Sequence, residues 1–245
     1  MAWFARTTAQ KPFLEIHDGT RLRRLTFEDL YNMDVTAIAV RPCRGIMGRA
    51  QIGSETLYIK RFKAPGKKFF RFLVKSKARK EYENQLFFRK LAINIPEILF
   101  FQEQGLIRRR AVLVTREIPQ TVTLLEALAQ PSGSRSLVQG TLKNLAGIVR
   151  RLHDNGFVHN DLRLRNVLIQ GERLFLIDCP NGMKLGHVPF FFRRRKIKDL
   201  ALLYEDAKGV LSGTQMVRFY LLYTGKGKLD RKDKETIRAI RSYYG

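Results

Sequence analysis

The chain has 245 residues, of which 46 are Lys or Arg and 22 are Asp or Glu, so its formal net charge is +24. An apolar content of 44% is enough to build a sizeable buried core, in one large domain or in two small lobes. No stretch approaches the roughly 20 uninterrupted apolar residues that a membrane-spanning helix needs. The first residues lack the basic-then-apolar layout of a signal peptide. We therefore expect a cytoplasmic protein without a spanning segment.

The excess of positive charge predicts that the chain binds or works next to a polyanion. Such a field attracts nucleic acid, an acidic membrane surface or a phosphorylated ligand, and charge alone does not choose among these partners. A merely solubilising surface is the alternative, although small domains usually carry a much smaller imbalance. The two cysteines, Cys43 and Cys179, match neither zinc-ligand nor redox spacing, so we expect reduced thiols and assign them no function.

The front half of the chain predicts short strands followed by a helix. Apolar and polar residues alternate over residues 13–16 and 35–40, which is typical of strands and turns. Residues 55–62 are rich in β-branched and aromatic side chains and predict a strand with Lys60 near its end. From about residue 76 to residue 91 the apolar spacing becomes helical.

An apolar run at residues 111–115 predicts a strand, and the segment after it contains a proline that breaks the pattern. We place the lobe boundary at this break, with an N-lobe of residues 1–117 and a C-lobe of residues 118–245. Apolar residues at helical spacing over residues 145–152 predict a long helix that ends at Gly156. Two apolar runs separated by a turn then predict a hairpin. A further helix is expected to begin near Lys198.

Residues 159–166 read HNDLRLRN, so that Asp161 is followed five positions later by Asn166. Asp178 stands at the end of the second strand of the predicted hairpin. This order resembles the catalytic loop and the metal-binding Asp of protein kinases and their small-molecule relatives. Phosphoryl transfer needs a carboxylate beside the acceptor hydroxyl, and oxygen ligands that hold Mg²⁺ against the phosphates of ATP. Asp161 suits the first role, and Asn166 and Asp178 suit the second.

Two further residues of the motif are candidate site residues. We expect His159 to support the loop through hydrogen bonds rather than to transfer protons. Arg163 stands where protein kinases usually carry a phosphate-contacting lysine, and its guanidinium has the fork geometry that suits a γ-phosphate.

The front half supplies the candidates for nucleotide binding. Lys60 is the candidate for the lysine that orients the phosphates, and Glu81 for its partner on the helix, because a flexible ammonium must be fixed before it can position a phosphate. Glu83 is the rival of Glu81 on a neighbouring face.

Four more residues complete the predicted nucleotide site. Gly45 and Gly48 stand where a nucleotide-covering loop is expected, although two glycines suit an ordinary hairpin turn equally well. Glu117 and Ile118 are candidates for the connector whose backbone reads the adenine. The alternative for them is a plain junction between a strand and a loop.

Three more segments carry a family resemblance: YIKRF at residues 58–62, KEY at residues 80–82 leading to NIP at 94–96, and RRKIKDLA at 194–201. With the HNDLRLRN motif they resemble the lipopolysaccharide kinase (Kdo/WaaP) family over about residues 40 to 210. The resemblance implies an α+β, two-lobed protein-kinase-like fold with a β-rich N-lobe and a mainly helical C-lobe. It also implies that Asp199 braces the catalytic loop.

The resemblance further implies ATP and Mg²⁺ as cofactors and a sugar hydroxyl, on Kdo or heptose, as the acceptor. This acceptor would be a lipid-linked core oligosaccharide in the inner core of lipopolysaccharide, reached from the cytoplasmic face of the inner membrane. One departure concerns the metal loop, which reads Asp178-Cys179-Pro180 where protein kinases have Asp-Phe-Gly. The departure keeps the Asp and puts conformational switching of the protein-kinase type in question.

Two clusters combine cations with Phe residues, one within residues 60–80 and one at residues 190–196. Phe rings at the headgroup boundary together with cations over anionic lipid would make a peripheral membrane site. The alternative is that the rings belong to the core and the cations are simply solvated. The cations that we expect at an anionic inner-membrane surface are Lys67, Lys68, Arg71, Arg193, Arg194 and Arg195.

Two other functions remain open at the level of sequence. An atypical RIO-like serine/threonine protein kinase is the first, because residues 177–180 also resemble the metal loop of that family and a ribosome or nucleic acid would suit the charge. The serine-containing catalytic loop of that family is absent. A catalytically weak binding protein that keeps the kinase fold is the second, and the retained Lys60, Asp161, Asn166 and Asp178 argue against it.

Overall fold

The computed structural model describes residues 13–18, 21–41, 45–63, 74–105, 109–130, 135–186 and 189–244 of the chain. The chain forms two compact units. The first unit comprises Met1–Tyr82 and Pro96–Glu117, and the second comprises Glu83–Ile95 and Ile118–Gly245.

The fold is α+β, with a β-rich amino-terminal region and a mainly helical carboxy-terminal region, as predicted. The strands are β1 (Phe13–Asp18), β2 (Arg21–Thr26), β3 (Thr36–Arg41), β4 (Gly45–Ile52), β5 (Glu55–Lys63), β6 (Ile98–Gln104), β7 (Arg110–Arg116), β8 (Val122–Thr123), β9 (Phe157–Val158), β10 (Val167–Gln170), β11 (Arg173–Leu176) and β12 (Met183–Lys184). The helices are α1 (Phe27–Asn32), α2 (Lys77–Lys90), α3 (Leu124–Ala129), α4 (Arg135–Asp154), α5 (Pro189–Ala207), α6 (Gly213–Thr224) and α7 (Arg231–Arg241), with a short 3₁₀ helix at Leu164–Asn166. Among the described residues, no helix combines the length and the apolar character that crossing a membrane requires.

The first unit is built on an antiparallel sheet with the strand order β3-β4-β5-β7-β6. The predicted strand around Lys60 is confirmed as β5, in which Leu57 and Ile59 are fully buried. Side chains alternate between the two faces of a strand, so Lys60 lies on the face opposite to Ile59. Its cross-strand partner is Leu113 of β7, which shares a small core with Ala78 of α2. The strand period therefore places Lys60 on the face that packs against α2.

The start of the chain contains a helix that the sequence pattern did not predict. Residues 13–18 and 36–41 are strands, as expected, but α1 lies between them. Thr26 and Asp29 begin this helix with a capping box, in which each side chain bonds the backbone N–H of the other. A helix of six residues is too short to show apolar periodicity, which is why only its cap marks it in the sequence.

The second unit has its core around α4. The predicted i, i+3, i+4, i+7 pattern is confirmed, since Leu145, Ile148, Val149 and Leu152 are all buried. Gly156 follows the helix with φ +69°, a left-handed conformation that glycine adopts without strain, and so ends the helix as predicted. The predicted hairpin is also confirmed, as the antiparallel pair β10–β11.

Residues 83–95 belong to a different unit from the lobe in which we expected them. The sequence pattern placed them in an N-lobe of residues 1–117, whereas the structure groups them with the second unit. The physical reason is burial, because Phe88 and Ile93 are 0% and 2% exposed within the core that also contains Leu145 and Leu152. The carboxy-terminal part of α2 therefore belongs to the helical unit.

The start of α5 was predicted wrongly. We expected a helix from near Lys198, but α5 begins at Pro189. Proline suits the first turn of a helix, where its missing N–H costs no hydrogen bond. The run of Phe and Arg after Pro189 has no apolar periodicity, so its helical conformation was not visible in the pattern.

The second unit has an apolar pocket of about 350 Å³ that is partly open to solvent. Its lining comes mainly from α4, α5, α6 and α7 and includes Leu145, Leu203, Ala207, Met216 and Ile240. Covering apolar surface that would otherwise face water stabilises a fold. A larger side chain at the wall of this pocket is therefore expected to stabilise the fold.

Replacement of Ala207 by Leu should raise the free energy of unfolding by about 0.5 to 2 kcal/mol, because the added carbons fill part of the pocket. Urea denaturation would measure the change. Ala129→Leu is the matched control, since Ala129 is also the last residue of its helix but is exposed. A destabilised Ala207→Leu protein, or equal changes in both variants, would contradict this interpretation.

Candidate active site

The catalytic loop connects β9 to β10 and coincides with the HNDLRLRN motif. Its two leucines, Leu162 and Leu164, are buried in the core of the second unit. The polar residues between and beside them reach the surface, and the side chain of Asp161 is 32% exposed. The alternation of apolar and polar residues in the motif therefore anchors the loop and keeps Asp161 accessible.

Asp199 of α5 holds the first part of this loop. Its carboxylate accepts the backbone N–H of His159 and that of Asn160, each at 2.7 Å. Asp199 is fully buried, and a buried carboxylate needs such donors to offset the loss of hydration. The bracing role that the family resemblance implied for Asp199 is thus present in the geometry.

His153 and Tyr223 extend the network around Asp199. The Nε2 of His153 lies 3.4 Å from the carboxylate, and its Nδ1 lies 2.9 Å from the hydroxyl of Tyr223. Burial raises the pKa of Tyr223 and lowers the pKa of His153. A neutral His153 that donates from Nε2 to Asp199 and accepts at Nδ1 from Tyr223 satisfies all three groups.

A second carboxylate of α5, that of Asp206, holds the middle of the loop. It accepts the backbone N–H of Leu164 at 3.0 Å and a guanidinium N–H of Arg163 at 2.9 Å. Sequence reasoning missed Asp206. The signal was its spacing of seven residues from Asp199, which places both on one face of a helix that follows the catalytic motif.

Arg163 lies beside the carboxylate of Asp161. Its Nε is 3.4 Å from Oδ1 of Asp161, while its terminal nitrogen is bound by Asp206. Two contacts leave part of the guanidinium donor capacity for a ligand, since Arg carries five N–H groups. The geometry is compatible with the predicted phosphate contact, and no contact in the structure tests it.

Asn166 and the strand before Asp178 are joined by a hydrogen bond. The backbone N–H of Ile177 donates to the carbonyl of Asn166 at 3.0 Å. The side-chain amide of Asn166 donates to the carbonyl of Asp161 at 2.9 Å, which directs the nitrogen to the loop and leaves the amide oxygen as its acceptor group. Asp178 has φ +57°, a conformation that Asp tolerates better than most residues.

Asn84 of α2 anchors the segment after Asp178 and was not anticipated. Its Nδ2 donates to the carbonyl of Cys179 at 2.8 Å and to that of Gly182 at 3.1 Å. Cys179 is a buried thiol, whereas Cys43 lies outside the described residues. Helix α2 thus fixes the backbone next to the candidate metal ligand.

In the first unit, Lys60 forms an ion pair with Glu81. The distance from Nζ to Oε1 is 2.5 Å, and Glu81 is 1% exposed while Lys60 is 18% exposed. Burial of Glu81 and partial burial of Lys60 mean that solvent screens the attraction within this pair less than it screens a surface pair. Lys60 contacts Glu81, the first of the two candidate partners on α2.

Gly45 and Gly48 lie in β4 and have a packing reason to be glycine. A Cβ at Gly45 would stand 1.9 Å from the carbonyl oxygen of Arg61, and one at Gly48 would stand 2.3 Å from a methyl carbon of Val35. Residues 42–44, between β3 and β4, lie outside the described residues. The close approach of neighbouring chain segments therefore accounts for both glycines without a ligand.

Glu117 is held by its own contacts. Its N–H donates to the carbonyl of Thr56 at 2.9 Å, so this donor is already used. Its carboxylate accepts from Arg49 at 2.9 Å and from Tyr58 at 3.2 Å, and the hydrogen bond from Arg49 is the main reason why its pKa is lowered. The carbonyl of Ile118 accepts the hydroxyl of Thr121 at 3.0 Å.

Comparison with protein families matches residues 51–223 to the lipopolysaccharide kinase (Kdo/WaaP) family. The chain belongs to this lipopolysaccharide kinase family. The match covers most of the chain and confirms the resemblance drawn from the motifs. Comparison with curated proteins finds no match. The protein is accordingly an ATP-dependent kinase with the protein-kinase-like fold of its family.

His159 of this kinase supports the loop through its backbone, while its ring lies in the core. Its ring is fully buried and lies near-parallel to the ring of Phe88, with centroids 6.1 Å apart. Neither ring nitrogen makes a well-formed hydrogen bond with the described residues, so the backbone N–H, bound to Asp199, is what supports the loop. Burial lowers the pKa of the ring, although the carboxylates of Asp199, Asp161 and Asp178 oppose the shift. A neutral buried ring is not placed for proton transfer.

The lowered pKa values of His153 and His159 predict a kinase that loses stability in mild acid. Each group takes up a proton more readily in the unfolded chain, whose histidine pKa is near 6.5, so stability falls as the pH drops below that value. The free energy of unfolding should decrease by about 1 to 4 kcal/mol between pH 7 and pH 5. Chemical denaturation across this range would measure the slope.

His159→Phe isolates one of the two contributions, because it keeps a ring against Phe88 and removes the titrating group. This variant should show a shallower decrease in stability below pH 6.5 than the parent protein. An unchanged slope would show that His159 does not contribute.

Proposed function

We propose that this kinase transfers the γ-phosphoryl group of ATP to a sugar hydroxyl, on Kdo or heptose, of a lipid-linked core oligosaccharide. We further propose that it works with Mg²⁺, at the inner face of the inner membrane, as a peripheral protein. The observation that carries the proposal is the braced loop, in which Asp199 and Asp206 bind three backbone N–H groups around Asp161. This bracing supports a fixed position for the Asp161 carboxylate.

Asp161 would accept the proton of the attacking hydroxyl. The oxygen of that hydroxyl forms a bond to the γ-phosphorus, and the bond from this phosphorus to the β,γ-bridging oxygen of ATP breaks, with ADP as the leaving group. The partial exposure of Asp161 supports this role, because the acceptor must reach it. Arg163, fixed by Asp206, would stabilise charge on the transferred group.

The residues present fit a magnesium ion bound with the nucleotide. Mg²⁺ is usually held by one or two carboxylates together with phosphate oxygens. Asp178 would supply the carboxylate and Asn166 its amide oxygen, since hydrogen bonding to Asp161 already uses the amide nitrogen. When bound, the ion would neutralise charge on the phosphates. Among the described residues, no group of three or more His, Cys, Asp or Glu side chains is arranged around a metal position.

Lys60 would orient the phosphates of ATP. Its ion pair with the buried Glu81 restricts the ammonium, which lowers the entropic cost of binding a phosphate. Gly45, Gly48, Glu117 and Ile118 remain candidates for the nucleotide-covering and adenine-binding backbone. The backbone N–H of Glu117 already donates to Thr56, so its carbonyl is the backbone group that would bind the adenine.

The family match favours a lipopolysaccharide acceptor over the RIO-like protein kinase and over a binding protein without catalysis. The decisive experiment follows labelled γ-phosphate of ATP into lipid-linked core oligosaccharide, into a generic basic protein and into the kinase itself. We expect the label in the oligosaccharide. Preferential labelling of the basic protein would contradict the proposal and revive the protein-kinase alternative.

Two variants separate the roles of the carboxylates in the same assay. Asp161→Asn should lower kcat by about 100-fold or more, as loss of a general base does, while MgATP still raises the melting temperature. Asp178→Asn should instead weaken the stabilisation by MgATP. Asp154→Asn, a change at an exposed carboxylate on α4, is the control and should keep full turnover. Wild-type turnover in Asp161→Asn would contradict the assignment.

The amino-terminal turns of α5 support docking to an anionic membrane. Phe190 and Phe191 are 74% and 63% exposed, and Arg193 and Arg194 beside them are also exposed. Phe192 instead packs against His153, so the cluster is only partly core. Exposed rings with adjacent cations suit a headgroup region, where each cation contributes about 1 kcal/mol. Lys67, Lys68 and Arg71, from the other predicted cluster, lie outside the described residues.

Vesicle sedimentation tests this docking. Binding should require anionic lipid and weaken as salt shortens the Debye length from about 10 Å at 0.1 M to about 3 Å at 1 M. A double change of Phe190 and Phe191 to Ser should remove the part of the binding that survives high salt, whereas Val122→Ser, at another exposed apolar residue, should not. Equal binding to neutral and anionic vesicles would show that the charge serves another partner.

A further inference from the structure

Helix α5 carries a row of residues that leads from the surface to the catalytic loop. Phe191, Arg195 and Asp199 are four residues apart, so they lie one above the other on one face of the helix. Phe191 is 63% exposed and Asp199 is 0% exposed. Arg195, which lies between them along the helix, is exposed. Eight residues of helix span about 12 Å. The membrane-facing cluster and the loop brace are thus parts of a single rigid element.

Arg195 joins this row to the loop. Its Nη1 donates to the side-chain oxygen of Asn160 at 3.1 Å. Asp199 binds the same residue through its backbone N–H at 2.7 Å. Two successive members of the row therefore hold Asn160, one through the side chain and one through the backbone.

Asn160 is the residue directly before the catalytic Asp161. Its φ of +63° is a left-handed conformation, which Asn adopts more readily than most residues. Its Nδ2 also donates to the carbonyl of Asn181 at 3.0 Å, so the side chain connects α5 with the segment after the metal loop. A change at either end of the Asn160 side chain would alter the support of Asp161.

The bond from Arg195 differs from the bonds of Asp199 because Arg195 is exposed. Asn160 is 7% exposed, so water competes for the Arg195 end of this hydrogen bond and not for the Asn160 end. The guanidinium carries five N–H donors, and Asn160 takes one of them. Arg195 has the capacity to bind an anionic oxygen and Asn160 at the same time.

We propose that Arg195 is a positioning residue that binds the phosphate of an anionic lipid headgroup and Asn160 together, so that docking of α5 on the membrane orders the catalytic loop. This inference rests on the proposed membrane docking. An exposed arginine that is fixed by a headgroup holds Asn160 more firmly than one that samples solvent. Turnover should therefore be higher on an anionic surface than in solution.

The test compares Arg195→Gln with Arg194→Gln, which removes the same charge from the neighbouring position. Two readouts are measured with and without phosphatidylglycerol vesicles: amide hydrogen exchange of the peptide that contains residues 159–166, and kcat together with KM for ATP. Each variant loses one docking cation and should need more lipid to reach saturation. At saturating vesicles, the parent protein and Arg194→Gln should show several-fold slower exchange and several-fold higher kcat. Arg195→Gln should show neither change, and KM for ATP should stay the same throughout.

Asn160→Gly gives an independent check. Glycine keeps the left-handed backbone and removes the side chain, and with it both the hydrogen bond from Arg195 and the hydrogen bond to Asn181. If Arg195 acts through Asn160, the response to vesicles should be lost in Asn160→Gly, and adding Arg195→Gln should lower kcat no further.

The possible failures are distinct. The inference would be overturned if the parent protein bound vesicles without any change in the hydrogen exchange of residues 159–166. It would also be overturned if Arg195→Gln and Arg194→Gln showed the same exchange and the same kcat. Either result would leave the kinase proposal intact. Absence of vesicle binding would overturn both the docking and the inference. Failure to label the oligosaccharide would count against the proposed acceptor alone, since the exchange readout, unlike kcat, requires no acceptor.

Discussion

A carboxylate that is buried without solvent must find its hydrogen bonds inside the protein, and Asp199 finds them in the catalytic loop. The backbone N–H groups of His159 and Asn160 donate two hydrogen bonds to this carboxylate, and His153 makes a third contact with it. The same bonds fix the backbone that carries Asp161. The hydrogen bonds that offset the lost hydration of Asp199 thus also order the loop that carries Asp161.

The rest of the second unit follows from this constraint. Asp206 repeats the arrangement two turns later on α5, and Leu162 and Leu164 hold the loop from the core. Asn166 connects the loop to the strand that leads to Asp178, and Asn84 secures the segment beyond it. In the first unit, the strand period of β5 and the buried Glu81 place Lys60 in an equally defined position. Lys60 and Arg163 are each held by a carboxylate that is less exposed than the cation itself.

Local patterns were enough to predict the elements that carry the site. The strand with Lys60, the helix with Glu81, the helix that ends at Gly156 and the hairpin before Asp178 all have strong periodicity or a clear turn signal, and the structure confirms them. The HNDLRLRN motif and its spacing to Asp178 pointed to the chemistry. The family match agrees with that interpretation at the level of an ATP-dependent lipopolysaccharide kinase.

The partners that the sequence did not reveal are those that meet only through folding. Asp206, Tyr223 and Asn84 are far in sequence from the groups they bind. The spacing of Asp206 from Asp199 is a local signal, whereas nothing in the local pattern distinguishes Tyr223 and Asn84 from ordinary polar residues. Amide hydrogen exchange at His159 and Asn160 tests most directly whether Asp199 holds the loop. In Asp199→Ala, which removes both acceptor oxygens, exchange at both amides should accelerate by orders of magnitude and turnover should be lost, while the amide of Leu152 in α4 stays protected. Unchanged protection at His159 and Asn160, or full turnover in that variant, would contradict this role of Asp199.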